Sequence, residues 1–281
     1  MAVRDLSPNT APPFAPLEAI EGRSDAGVLF LCDHASNALP PEYGDLGLPP
    51  EAFQRHIAYD IGSAGVTRAL AARFNAPALL TRYSRLLIDP NRGADDPTLV
   101  MQLSDGAVIP GNACVDAAEI ARRTALYWTP YRQKAGALLD EMSAAGPTPA
   151  IVSLHSFTPV WRGSPRPWRI GLLWDNDPRM AQPLLERLEA AGLEPVGDNE
   201  PYDGALKGDT LYDLASARGQ AHVLIEIRQD LIAEPAGQIE WAGRIADALA
   251  PVLAREGVHK IEHHGSRADA RSQRNHLRRR T

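Results

Sequence analysis

The sequence predicts an α/β protein: one domain, a mixed β-sheet, helices covering both faces. Three observations predict it. Short runs rich in apolar and β-branched residues recur along the chain, separated by longer stretches with helical periodicity. Alternation of this kind belongs to a sheet buried on both sides. The 281 residues are 44% hydrophobic and 23% charged, a globular balance, and neither an internal repeat nor a linker divides them.

The elements follow in order. Residues 1–26 hold Pro8, Pro12, Pro13 and Pro16 and no clear periodicity, so an irregular arm is expected there. The ordered body is expected over residues 27–257, and a basic, unstructured end over residues 258–281. Residues 28–32, an apolar run, predict a buried strand. Residues 61–74 place Ile61, Val66, Ala69, Leu70 and Phe74 at roughly helical spacing. Residues 78–81 and 86–88 predict strand pieces. Residues 116–142 carry a long helical pattern that Pro130 should break or kink. Residues 150–154 and 169–174 predict two further strands. Residues 178–191 form an amphipathic helical pattern with proline near its start and Gly192 just past its end. Residues 223–227 are a fourth apolar strand, and residues 238–253 a closing helix.

Several function classes fall away. Cys32 and Cys114 are too few for a disulfide framework or a cysteine-rich zinc site, and both fit buried small hydrophobes. No apolar run approaches the ~18 residues of a membrane span, and the start lacks a secretory pattern. A cytoplasmic protein is expected. The formal net charge is −6, although residues 266–281 carry six arginines and one aspartate. A body so acidic argues against nucleic-acid binding. No GxGxxG, Walker A, GxSxG or HExxH sequence occurs. Trp161, Trp168 and Trp174 flank Arg162 and Arg166 with no nucleic-acid module around them, which suits packing.

What remains is a pattern at the strand ends. In open α/β sheets, functional groups collect beyond the carboxyl ends of strands. The first strand runs into Asp33-His34-Ala35-Ser36-Asn37, the strand at 150–154 into His155-Ser156, and the piece at 86–88 into Asp89-Pro90-Asn91-Arg92. Glu226 lies within the apolar run 223–227, ahead of Arg228, Gln229 and Asp230. Each histidine alone could cap or satisfy a core. Together they fit metal ligands, since catalytic zinc commonly takes two imidazoles and one carboxylate and leaves a position for water. Asp60 is the best carboxylate for the third place; its competing role is the N-cap of the helix that follows. Asn37 and Asp33 are further candidates, but an amide oxygen is a weak zinc ligand. Glu226 is costly to bury, at several kcal/mol per unpaired ion, so it needs a partner or a raised pKa. It fits either an ion pair with an arginine such as Arg228 or a general base working on water. Arg85, Asn91 and Arg92 suit recognition of a carboxylate, or else pairing with Asp89, Asp95 or Asp96.

These segments resemble the N-formylglutamate amidohydrolases. The resemblance rests on Cys32-Asp33-His34-Ala35-Ser36-Asn37 with Pro40, and on Ala58-Tyr59-Asp60-Ile61-Gly62. It continues through Tyr83-Ser84-Arg85-Leu86-Leu87-Ile88-Asp89-Pro90-Asn91-Arg92, Leu154-His155-Ser156-Phe157 and Ile225-Glu226-Ile227-Arg228-Gln229-Asp230-Leu231. The resemblance implies a phosphorylase/hydrolase-like fold shared with zinc carboxypeptidases, one Zn²⁺ per chain, and a role in histidine degradation. It implies His34, His155 and a carboxylate as ligands, with Asp60 favoured over Asn37. Arg92, Asn91, Arg85 and Arg228 are the implied substrate-binding residues, and Glu226 the implied base and then acid. Arg85 is also the implied holder of the oxyanion. The implied substrate is a small acidic N-acyl amino acid such as N-formyl-L-glutamate. Asn37 departs from the pattern, which places glutamate there. Two other functions fit the same residues: a metallohydrolase for another N-acyl amino acid or short peptide, and a non-catalytic carboxylate-binding protein.

Overall fold

The computed structural model describes residues 14–269; half of the expected N-terminal arm and half of the expected basic end therefore lie outside the described residues. Seven strands form the main sheet: β1 (Leu17–Ile20), β2 (Val28–Cys32), β3 (Ala78–Thr81), β4 (Ala150–Phe157), β5 (Ile170–Leu173), β6 (Val196–Asp198) and β7 (His222–Arg228). Their spatial order is β1-β3-β2-β4-β7-β5-β6. The four strands β3, β2, β4 and β7 are mutually parallel, while β1 and β5 each lie antiparallel to a neighbour. The sheet is mixed, as predicted. The helices are α1 (Ser63–Phe74), α2 (Ala117–Arg123), α3 (Thr129–Ala145), α4 (Pro178–Ala190), α5 (Thr210–Leu214) and α6 (Pro235–Leu253).

Strand alternation divides the apolar residues between two cores. Val28, Phe30, Cys32, Val152, Leu154, Val223 and Ile225 pack with buried residues of α1, α4 and α6. Leu29, Leu31, Ile151 and Leu224 pack with α3 and α5 on the other face. Each such burial contributes about 1.5–3 kcal/mol. Continuing the alternation past the apolar residues puts Asp33, His155 and Glu226 on the α3–α5 side. That parity is what gathers the polar groups on one face.

Several elements differ from expectation for identifiable reasons. Residues 86–88 form turns, with Leu87 N donating to the Ser84 carbonyl and Arg85 N to the Ala58 carbonyl. Their apolar side chains fill two smaller clusters outside the sheet, around Ile57 and Tyr127, so an apolar triplet resembled a strand. The pattern over 116–142 is helical throughout, with a π-helical segment at Thr124–Trp128 joining α2 to α3. Pro130 follows closely on that π-helical segment, so the run changes its hydrogen-bond register there and does not break. Residues 17–20, expected as irregular arm, pair as an edge strand with β3, which supplies the partner that local sequence does not show. Residues 258–269 are held to the body: Val258 is buried, His259 is hydrogen-bonded to the carbonyls of Thr148 and Leu253, and Arg267 pairs with Asp175 and Asp203. Among the described residues no helix is long and apolar enough to cross a membrane.

Candidate metal centre and active site

β4 extends past Leu154, so His155 sits inside a strand rather than after it, in register with Glu226 on β7. Neighbouring strands lie about 4.8 Å apart, so the two side chains share one patch of the sheet face. His34 leaves the end of β2, and its carbonyl accepts the Asp60 amide at 2.9 Å, which draws the segment before α1 alongside. The helix cap there is Gly62, with φ 83° and no side-chain cap, so Asp60 is not the N-cap. A Cβ on Gly62 would lie 2.0 Å from the Ile232 carbonyl oxygen. Glycine is thus required twice over, and the turn it makes delivers the Asp60 carboxylate to the histidines.

Asp60 Oδ2 lies 2.8 Å from His155 Nδ1 and 3.3 Å from His34 Nδ1. One ligand atom from each of the three residues lies within 4.8 Å of the others, and all three residues are buried. The outer nitrogens are held by buried carboxylates. His34 Nε2 is 2.7 Å from Asp89 Oδ1, and His155 Nε2 is 3.1 Å from Asp33 Oδ2. A carboxylate only accepts, so each Nε2 carries a proton, while each Nδ1 either carries a second proton toward Asp60 or, with a metal ion bound between them, turns a lone pair to it. A lone pair facing a carboxylate oxygen needs a cation between them, either a proton or a metal ion.

The electrostatics agree. Burial opposes the imidazolium of His155, yet its hydrogen bonds to Asp33 and Asp60 hold its pKa well above the usual histidine value. Burial likewise opposes ionised Asp60, and the two histidines outweigh it, lowering its pKa. Burial also works against ionised Asp89, but the Arg85 guanidinium beside it drives its pKa well down. Glu226 behaves in the opposite way. Burial pushes its pKa up to about 7, with Asp60 adding to the rise against the histidines. Its Oε2 is buried and has no hydrogen-bond partner among the described residues.

The remaining expected residues divide. A cavity of about 280 Å³ is lined by His34, Asp60, Arg85, Asn91, Arg92, His155 and Glu226, among others. Arg85 is committed to carboxylates: its Nε and Nη2 donate to Asp89 Oδ2 at 3.1 and 2.7 Å, and its Nη1 lies 3.6 Å from Asp60 Oδ1. Arg92 donates to the Asn91 carbonyl and to Thr98 Oγ1, and no carboxylate pairs with it among the described residues. Arg228 stands outside this group; it is ion-paired with Asp230 and does not line the cavity. Asn37 is also elsewhere, its amide donating to the Phe53 carbonyl at 2.7 Å. Asn37 is not among the three converging residues, which are His34, Asp60 and His155.

Some residues escaped sequence reasoning. Asp33, read from sequence only as a ligand candidate, and Asp89, read only as an arginine partner, also orient the two histidines, a role the sequence did not show. Arg132 on α3 donates to the carbonyls of Pro90, Arg92, Gly208 and Asp209, tying two walls of the cavity together. Tyr202, Leu206 and Asp209 line the cavity from a loop with no motif at all. Asp209 caps α5 through the Tyr212 amide, and burial raises its pKa to about 7. A carboxyl pKa above its unfolded value favours the folded state at low pH, and that contribution is lost as pH rises toward 7. Asp209→Asn keeps the cap and should flatten the stability profile between about pH 4 and pH 7. Urea unfolding midpoints across that range check it; an unchanged slope counts against a buried, proton-holding Asp209.

A family model for N-formylglutamate amidohydrolase matches residues 26–233. Gene product Atu2144 from Agrobacterium tumefaciens has a similar crystal structure, with 36% identity, a TM-score of 0.80, and coverage of 85% of this chain and 95% of that one. The N-formylglutamate amidohydrolase from Ralstonia eutropha JMP134 is 21% identical, with a TM-score of 0.65 over 85% of this chain and 97% of that one, a likeness of fold. No curated protein matches. The matched stretch holds every residue of the His34–Asp60–His155 cluster together with Glu226, and it covers most of the sheet. The chain belongs to the N-formylglutamate amidohydrolase family and is a hydrolase acting on an amide.

Proposed function

We propose that this chain is a zinc-dependent deformylase that converts an N-formyl acidic amino acid, such as N-formyl-L-glutamate, into formate and the free amino acid. The observation that carries this reading is the pairing of two features in one cavity. Three ligand atoms converge from His34, Asp60 and His155, and beside them stands a buried carboxylate, Glu226, with an unpartnered oxygen.

The donor set fits zinc: two imidazoles and one carboxylate, each histidine oriented by a second carboxylate. The charge balance fits as well. Asp33, Asp60 and Asp89 are buried, yet the histidines and Arg85 hold their pKa values down against that burial, and a resident cation would take the place of the proton that otherwise lies between His155 and Asp60. His34, Asp60 and His155 would hold one ion per chain, which when bound would polarise the amide carbonyl and make water more acidic. Glu226 takes a proton from the attacking water and passes it to the amine nitrogen as the C–N bond breaks. A pKa near 7 suits both transfers. Arg92 and Asn91 bind a substrate carboxylate at one wall. Arg85 holds Asp60 and Asp89 in place. The substrate is a small acidic molecule, and the same residues would serve a longer acyl group if the cavity admits it.

Metal analysis of the purified protein and formate release with and without chelator test the proposal. About one zinc per chain with chelator-sensitive release supports it. Zinc without formate release, but with release of a longer acyl group, moves the substrate. A metal-free protein that binds acidic amino acids without turnover favours the carboxylate-binding alternative. Arg92→Ala should raise KM for the acidic substrate about 10–100-fold, the loss of a charge-assisted contact worth about 1.5–3 kcal/mol. Steady-state kinetics check it; an unchanged KM removes Arg92 from substrate binding.

A further inference from the structure

Behind one wall of the cavity lies a buried cation without a counter-ion. Arg166 is 9% exposed. The other two buried arginines each have a carboxylate, Glu119 for Arg123 and Asp213 for Arg132. Arg166 has none within ion-pair distance among the described residues. Instead its guanidinium sits among the rings of Phe157, Trp161 and Tyr202, at 5.6, 5.4 and 5.0 Å from their centroids. Its Nη1 donates to the carbonyl and hydroxyl oxygens of Thr158 and, at 3.2 Å, to the Tyr202 hydroxyl oxygen. Leaving a buried charge unpaired costs several kcal/mol, so the arrangement calls for a use.

Tyr202 shows what that use is. It lines the cavity together with Glu226, Asp60 and Arg85. Its oxygen accepts from Arg166, and among the described residues nothing takes its proton. A phenol has one proton to give, and a cation on the oxygen strengthens that donation. The ring is 44% exposed, but desolvation of its hydroxyl, and then the charge of Glu226, raise its pKa, so the proton stays on at neutral pH. Arg85, another donor beside the His34–Asp60–His155 cluster, is already committed to Asp89 and Asp60.

We propose that Tyr202 is a catalytic residue, donating a hydrogen bond to the carbonyl oxygen of the scissile amide as charge develops there, and that Arg166 is the positioning residue that holds and polarises it. The proposal rests on the amide hydrolysis assigned above to Glu226 and its neighbours. No covalent bond is made or broken by Tyr202; it keeps its proton throughout.

The test is kinetic, on the zinc-loaded enzyme and on whichever member of a formyl, acetyl and longer N-acyl glutamate series the wild type hydrolyses best. Tyr202→Phe should lower kcat about 10²–10³-fold, the usual effect of removing one such donor, and leave KM within about threefold. Arg166→Met should lower kcat in the same manner, Arg166→Lys should restore part of it, and the double variant should be no worse than the worse single. Melting temperature separates this from misfolding, and Tyr202→Phe deletes one oxygen without changing the packing. An unchanged kcat in Tyr202→Phe overturns the proposal, as does a loss confined to KM, which would make Tyr202 a substrate-holding group only. Additive losses for the two residues overturn the role given to Arg166. Failure of the formyl substrate alone, with turnover elsewhere in the series, overturns the deformylase assignment and leaves the Tyr202 comparison intact. Absence of turnover across the series overturns both.

Discussion

Glu226→Gln is expected to lower kcat by about 10²–10⁴-fold, the range for losing a general acid–base group. Zinc content should stay at its wild-type level, because Glu226 is not among the converging ligand residues. The variant should also fold as well as the parent or better. Glu226 is buried with one oxygen unpartnered and its pKa pushed up to about 7. A neutral amide of the same shape removes the cost of burying a charge. Activity and stability should therefore move in opposite directions. Single-turnover kinetics with parallel metal analysis and thermal unfolding will show this. A Glu226→Gln protein that turns over at wild-type rate would exclude Glu226 as the proton carrier.

Asp60→Ala should abolish stoichiometric zinc binding and turnover with it, while Asn37→Ala should leave both close to wild type. The geometry underlies the contrast. Asp60 Oδ2 faces the Nδ1 atoms of both histidines, whereas the Asn37 amide is bound to a backbone carbonyl. A stability measurement checks it independently of activity. Zinc that binds the folded state at about 100 times its Kd adds about 2.7 kcal/mol to unfolding free energy. The wild type and Asn37→Ala should show that zinc-dependent rise, and Asp60→Ala should lose it. A full rise in Asp60→Ala would remove Asp60 from the ligand set.

How much of this was legible differs from element to element. The buried strands and the amphipathic helix at 178–191 were readable because apolar periodicity is a local signal. The turns at 86–88 were not, because their apolar residues fill clusters that only distant segments create. The edge strand at 17–20 needed β3 as partner. At the site, His34, His155 and Glu226 were legible from their places in or just after apolar runs. Asp60 had two readings in sequence, ligand or helix cap. The left-handed turn at Gly62 removes the cap reading by placing the cap at residue 62. Arg228 follows Glu226 by two residues, yet it turns to Asp230 at the surface.

The sequence by itself determined the α/β class, the strands that carry the site, and the residue types that suit a metal-assisted attack on an amide. Those properties depend on near neighbours along the chain: alternation, helical period, and the chemistry of each side chain. Tertiary structure alone decided which groups meet. The choice of Asp60, the pairing of each histidine with its own buried carboxylate, and the Arg166–Tyr202 contact join segments 26 to 122 residues apart. Contacts at such separations depend on strand order and loop closure, and a linear pattern does not encode those pair by pair. The same closure sets the burial that pushes Glu226 toward neutrality and seats Arg166 among aromatic rings, so the site's electrostatics exist only once the chain has folded.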